Sequence, residues 1–245
     1  MSSLIAQTIT ITGDGGDQIE AYEARPLDQS RRGGMVVIHH LPGYDRATKE
    51  FVRRFAELGY DAVCPNLFSR EAPGADPDDA AAVARARGGA PDDRIVGDVA
   101  GATAYLRAMD TSNDKVGVIG YCSGGRQAVL AACSIPLDAA IDCYGAFVIG
   151  DSPAGYQVKM TNLEGKLSSL SCPLLGLFGK EDQHPSPAEV ARLEDLLSES
   201  GKTFEFHSYD GAGHAFFAPD RPSYRVEAAT DGWDKIAAFL SRHLS

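Results

Sequence analysis

Apolar positions along the chain change period in a regular way. Residues 5–11 and 19–24 alternate apolar and polar side chains, the period-two mark of a hairpin with one face in water. Gly13-Asp14-Gly15-Gly16 joins them. No helical pattern follows these glycines, so they read as a turn and not as a phosphate loop. Residues 35–39 form a continuous apolar strand, and residues 47–58 carry apolar side chains at helical spacing up to Gly59. Residues 60–64 read as a strand ended by Pro65, and residues 78–89 and 92–109 as helices. An apolar strand over 116–121 leads into a helix over 124–133. Strands at 139–144 and 174–178, a helix at 187–200, a strand at 203–209 and a helix near 225–243 complete the order.

Strands too apolar to face water, alternating with helices, predict an α/β fold: a mostly parallel central sheet flanked by helices on both faces. No repeat or linker interrupts the pattern, so residues 1–245 read as a single domain. Residues 146–170 stand apart, with Gly, Pro and Ser and no clear period. They read either as a flap over a site or as a connector with a short helix.

The run Gly120-Tyr121-Cys122-Ser123-Gly124-Gly125, between strand and helix, carries the chemistry. It fits the nucleophile elbow G-x-Nuc-x-G of the α/β-hydrolases, with cysteine as the nucleophile. Strand and helix cross closely at such a turn, so the residues two before and two after the nucleophile must be small. Gly120 and Gly124 meet that demand around Cys122, whereas Ser123 as nucleophile would put Tyr121 in the crowded place. A thiol nucleophile needs a base and a group that orients the base. The chain order nucleophile, acid, histidine is met by Cys122, Asp182 and His214, the last two just past strand ends, with Glu181 as a rival acid. His39 and His40 are adjacent and point to opposite faces, and His184 and His207 stand alone, so no metal site is expected.

Composition narrows the reading. The 245 residues are 44% hydrophobic with a formal net charge of −11 and no basic block, which argues against nucleic acid or an anionic membrane as partner. No apolar run approaches the roughly 20 residues of a membrane span. Five cysteines, scattered singly, suit reduced thiols. Residues 1–12 lack a basic start and apolar stretch, so no secretory leader and a cytoplasmic location are expected.

The elbow run closely resembles the dienelactone hydrolase (carboxymethylenebutenolidase) family. So do Tyr60-Asp61-Ala62-Val63-Cys64-Pro65-Asn66-Leu67-Phe68 with Ala72-Pro73-Gly74, then Gly179-Lys180-Glu181-Asp182 and Gly213-His214-Ala215-Phe216. The resemblance implies Cys122 as nucleophile, His214 as base, Asp182 as orienter, and the backbone N–H groups of Leu41 and Ser123 as the oxyanion hole. It implies a small-molecule ester or lactone substrate and no cofactor, and leaves the oligomeric state open. His40, Tyr121, Arg85 and Phe216 are the expected substrate contacts. Two departures stand out. Where the family carries a glutamate touching the resting thiol, this chain has His40. Where it carries an arginine soon after the histidine, this chain has Ala218, with Arg221 nearby but out of register, and Arg85 or Arg87 as replacements for the other anchor. A histidine there makes a less negative pocket, suited to neutral esters and phosphoesters as well as lactones. Two rivals remain: a class I glutamine amidotransferase, whose histidine normally has glutamate two residues on, where Phe216 follows His214, and a non-catalytic ligand receptor on the hydrolase fold.

Overall fold

The runs of Val, Ile, Leu and Ala become the buried strands of one sheet. The computed structural model describes residues 3–156 and 158–245. Strands β1 (Leu4–Thr12) and β2 (Gln18–Pro26) form the leading hairpin. Next come β3 (Arg32–Ile38), β4 (Asp61–Pro65), β5 (Ser112–Tyr121), β6 (Ala139–Cys143), β7 (Leu174–Gly179) and β8 (Phe204–Tyr209). The sheet order is β1-β2-β4-β3-β5-β6-β7-β8. β1–β2 and β2–β4 pair antiparallel, and every pair from β4–β3 to β7–β8 is parallel.

Among the described residues six helices cover the two faces: α1 (Arg46–Glu57), α2 (Pro77–Ala86), α3 (Asp92–Arg107), α4 (Ser123–Ala132), α5 (Pro187–Glu199) and α6 (Val226–His243). Because strand side chains alternate, β3 sends Val36 and Ile38 to one core and Met35 and Val37 to the other. The first core takes Ala80 and Ala84 of α2, Val99 of α3, Ala128 of α4 and Leu193 of α5. The second takes Phe55 of α1 and Trp233, Ile236 and Phe239 of α6. Each face thus buries an apolar helix stripe, the main stabilising term of such a layer. No helix among the described residues is long and apolar enough to cross a membrane.

Helix ends follow local chemistry. The Asp45 carboxylate accepts the Thr48 N–H at 2.9 Å to cap α1, and Ser186 with Glu189 forms a capping box on α5. The predicted helix 78–89 is corrected at both ends: α2 starts at Pro77 and stops at Ala86, because Gly88 and Gly89 both sit at φ 89° and turn the chain out of the helix. The glycine-rich link after β1 is a turn, as expected. Asp14 donates its N–H to the buried Asp98 carboxylate (2.9 Å), which also pairs with Arg70 at 2.8 and 2.9 Å. Among the described residues of 146–170 the regular element is a short 3-10 turn, Glu164–Ser169. The rest is tied back by Leu163 N–H to Val148 O and Ser152 N–H to Met160 O, each 2.9 Å. Ala146, Phe147, Val158 and Met160 form a small apolar cluster there, with Leu41 packed against it.

Gly120 and Gly124 test the crossing of β5 and α4. A Cβ at 120 would overlap the Gly124 carbonyl, and one at 124 would lie 2.5 Å from the Ile38 carbonyl oxygen. Backbone on both sides cannot yield, so Gly120→Ala or Gly124→Ala should cost about 3 kcal/mol or prevent folding. Gly165→Ala, in open space, should stay within about 0.5 kcal/mol. Urea unfolding midpoints compare the three.

Candidate active site

Between β5 and α4 the chain reverses at Cys122, whose φ of 59° and ψ of −124° lie in a region that L-residues rarely occupy. A single such residue costs about 1–3 kcal/mol and is held by its surroundings. The Cys122 N–H donates to Cys143 O at 3.1 Å, and the Cys122 carbonyl accepts the Gly125 N–H at 3.0 Å. The side chain, half-buried, therefore projects from the carboxyl end of the sheet at the start of α4.

Two neighbouring loops bring the partners. After β7, Glu181 donates its N–H to Ala212 O at 2.9 Å, which fixes the β7 and β8 loops side by side. Glu181 itself is exposed, while Asp182 is buried. One Asp182 oxygen accepts the His184 N–H at 3.0 Å, and the other accepts Nδ1–H of His214 at 2.8 Å. The Nδ1 proton is thus directed at Asp182, and the Cys122 thiol lies close enough to the ring for His214 to favour its ionised form. The backbone N–H groups of Ser123 and Leu41 also reach that sulfur.

These contacts set the charges. Burial works against a Cys122 thiolate, but the hydrogen bonds from His214, Ser123 and Leu41 outweigh it and lower the thiol pKa. Burial likewise opposes an imidazolium at His214, yet the Asp182 carboxylate and the sulfur raise it to about 10. The other thiols go the opposite way, with burial pushing Cys133 up to about 11 and Cys172 up to about 12. Cys64 and Cys143 are raised further for the same reason.

The cavity into which Cys122 opens is lined by His40, Phe51, Tyr121, Tyr144 and Arg221, among others. His40 donates from Nε2 to Asp45 at 2.6 Å. His39 is buried and neutral, held by burial at about 4, with Nδ1–H donating to His40 O (2.9 Å) and Nε2 accepting Leu67 N–H (3.2 Å). Tyr121 stacks on Phe51 at 4.4 Å. Two expected contacts are corrected. Phe216 is wholly buried against Tyr144 and Tyr209, because Ala215 at φ 63° turns the chain inward, so it supports the wall and does not line it. Arg85 does not line the cavity: its guanidinium donates to Leu41 O at 3.2 Å and steadies the turn carrying that N–H. Arg221, out of register with the family position, is the arginine that lines it. Among the described residues no group of three or more His, Cys, Asp or Glu side chains is placed to hold a metal.

Asp45, Tyr144 and Asp142 went unnoticed in the sequence. Asp142 was detectable as the one charged residue in the apolar run 139–143. It is fully buried at the end of β6, where one oxygen accepts Gly145 N–H at 2.7 Å and the other has no partner. Burial raises its carboxyl to about 7.

A mostly parallel sheet with a strained cysteine in the turn from β5 into α4, and an aspartate–histidine pair in the loops after β7 and β8, is the architecture of an α/β-hydrolase. The chain belongs to the dienelactone hydrolase family, which it matches over residues 19–244. A relative from Methylorubrum extorquens, named "Putative carboxymethylenebutenolidase", is 33% identical over 245 residues, covering 99% of this chain and 82% of the relative. The crystal structure named "Putative Dienelactone Hydrolase" from Klebsiella pneumoniae superposes with a TM-score of 0.85 at 26% identity, over 98% of this chain and all of that one. A dienelactone hydrolase-like promiscuous phosphotriesterase from metagenomic libraries shares the fold, with a TM-score of 0.80 at 20% identity over 99% of this chain and 100% of its own.

Iodoacetamide should inactivate the protein in step with one label on Cys122. The rate should reach half its limiting value below the pH of ~8.5 at which a free cysteine does, and His214→Ala should move that midpoint up. Peptide mapping and residual activity across pH check both. Asp142 gives a stability test. Its folded pKa is raised, so between about 4 and 7 the folded state holds the proton more tightly and stability falls as pH rises. Against Asp142→Asn, urea unfolding should show this slope, totalling roughly 4 kcal/mol, in the parent alone.

Proposed function

We propose that this chain is a cofactor-free hydrolase of small-molecule esters and lactones that works through a thioester on Cys122. The observation that carries it is the line Asp182–His214–Cys122, with a 2.8 Å Asp182–His214 bond at one end and the lowered thiol at the other. The thiolate attacks the substrate carbonyl carbon, and the carbonyl oxygen takes the negative charge. The N–H groups of Leu41 and Ser123, which already reach the sulfur, are placed to hold that oxyanion, a donor being worth roughly 3–4 kcal/mol in enzymes where one was removed. His214 passes its proton to the departing alkoxide, then takes one from the water that cleaves the thioester. Asp182 holds the ring in the tautomer that leaves the second nitrogen free for this traffic.

Carboxymethylenebutenolidase chemistry, as in the name of the Methylorubrum extorquens relative, is one lactone case of that reaction. His40, tied to Asp45, stands where the family glutamate meets the resting thiol, and this supports an ungated thiolate. Together with the likeness to a promiscuous phosphotriesterase, it supports a substrate range that extends to neutral esters and phosphotriesters. A single domain suits eight strands in one sheet, and a reducing cytoplasm suits five free thiols.

Cys122→Ala should abolish turnover of an aryl acetate, and His214→Ala should cost several orders of magnitude. Asp182→Asn should keep the fold and lose about three to four orders in kcat through the wrong tautomer. Glu181→Gln should stay near the parent. Steady-state rates with circular dichroism as a fold check decide, and a dead Glu181→Gln beside an active Asp182→Asn would reverse the assignment of the acid.

A further inference from the structure

A second imidazole–carboxylate pair stands at the same site. His40 donates from Nε2 to Asp45 at 2.6 Å, and among the described residues Nδ1 has no hydrogen-bond partner. Asp45 is fixed in turn, since its other oxygen accepts both the N–H (2.9 Å) and the hydroxyl (2.8 Å) of Thr48 at the start of α1. Burial works against the Asp45 carboxylate, but the hydrogen bond and charge of His40 and the two bonds from Thr48 together outweigh it and keep the carboxyl well below its ordinary range, so the ring faces a negative charge. This is the arrangement that Asp182 makes with His214, repeated on another wall. His40 lines the cavity into which Cys122 opens and also the adjoining one bounded by Leu41 and Ser123. His40 follows β3 and His214 follows β8, which lie on opposite sides of β5 in the sheet, so the two imidazoles come to the Cys122 end of β5 from different sides.

Displacement at a tetrahedral phosphorus makes that difference matter. Entering and leaving groups lie in line, so a leaving oxygen departs on the side away from the sulfur. A proton donor beside the sulfur, as His214 is, stands on the wrong side for it. We propose that His40, oriented by Asp45, is a second acid–base catalyst of this site, the one that serves leaving group and water when the substrate is a phosphotriester. The proposal rests on Cys122 being the nucleophile.

The steps balance without a further reactant. The Cys122 thiolate forms an S–P bond while the P–O bond to the leaving group breaks. The electron pair goes to that oxygen, and the proton on His40 Nδ1 follows it, giving the alcohol. Water then enters from the side the alcohol left. Its oxygen bonds to phosphorus, its proton goes to His40, and the S–P pair returns to sulfur as thiolate. The products are an alcohol and a phosphodiester, and both imidazoles end as they began.

The test is the dependence on the leaving group. His40→Gln and Asp45→Asn are compared with the parent chain on diethyl 4-nitrophenyl phosphate, diethyl phenyl phosphate, 4-nitrophenyl acetate and phenyl acetate. Asparagine remains a good helix cap, so Asp45→Asn keeps α1 while weakening the hold on His40. The expected result for His40→Gln is a loss in kcat/KM of about 100-fold on the phenyl phosphate, whose poor leaving group needs the proton. Loss on the nitrophenyl phosphate should be only a few-fold, and the ratio of the two acetates unchanged. Asp45→Asn should show the same pattern in weaker form. An equal loss on all four substrates, an unchanged rate on diethyl phenyl phosphate, or a parent that turns over the acetates but neither phosphate would each overturn the role of His40. Acetate turnover surviving in Cys122→Ala would instead remove the nucleophile on which the proposal stands.

Discussion

β5 and α4 cross at backbone contact, and the rest of the site depends on that crossing. With Gly120 under the carbonyl of Gly124, and Gly124 against the carbonyl of Ile38, the strand can turn straight into the helix only by forcing Cys122 to φ 59°. The strain lifts the thiol clear of the sheet at a helix start. There the N–H of Ser123 is free of an intrahelical partner and the helix end favours negative charge. The crossing also presses α4 against the end of β3, which brings the N–H of Leu41 to the sulfur. One steric constraint thereby sets the exposure of the thiol and the placement of the N–H groups around it together.

Around that fixed point the charges are arranged by loops from strands farther along the sheet. Buried Asp182 meets His214 from the next loop because Glu181 and Ala212 clamp the two loops together. The same logic operates at Asp45 and His40, where a carboxylate already committed to a helix cap holds an imidazole at the rim of the cavity. Arg126, buried in α4, adds support from below. It donates to Asp92 of α3 in two bonds of 2.9 and 2.8 Å and to the Thr161 carbonyl at 2.6 Å, which ties the elbow helix to α3 and to the chain at Thr161.

Elements whose signal is local were legible in the sequence: the apolar strands, the amphipathic α1 ending at Gly59, and the glycines flanking Cys122. The order of acid and histidine was legible for the same reason, since both follow strand ends. Features set by tertiary contact were not. Nothing around Phe216 announces that Ala215 turns it inward, and nothing in α2 says that Arg85 reaches back to Leu41 across 44 positions. Asp45 bonds both Thr48 and His40, and the second of these contacts depends on how the β3–α1 loop folds. Asp182 was separable from Glu181 only by burial, which sequence does not display.

The central claim is a covalent acyl group on Cys122 during turnover. Mixing the enzyme with excess 4-nitrophenyl acetate, quenching in acid within milliseconds and weighing the intact chain tests it directly. The account predicts one acetyl group per chain, mapped to the peptide holding Cys122, forming and decaying at rates that match the burst and the steady state. Turnover with no adduct, or with the acetyl group on another residue, would contradict it.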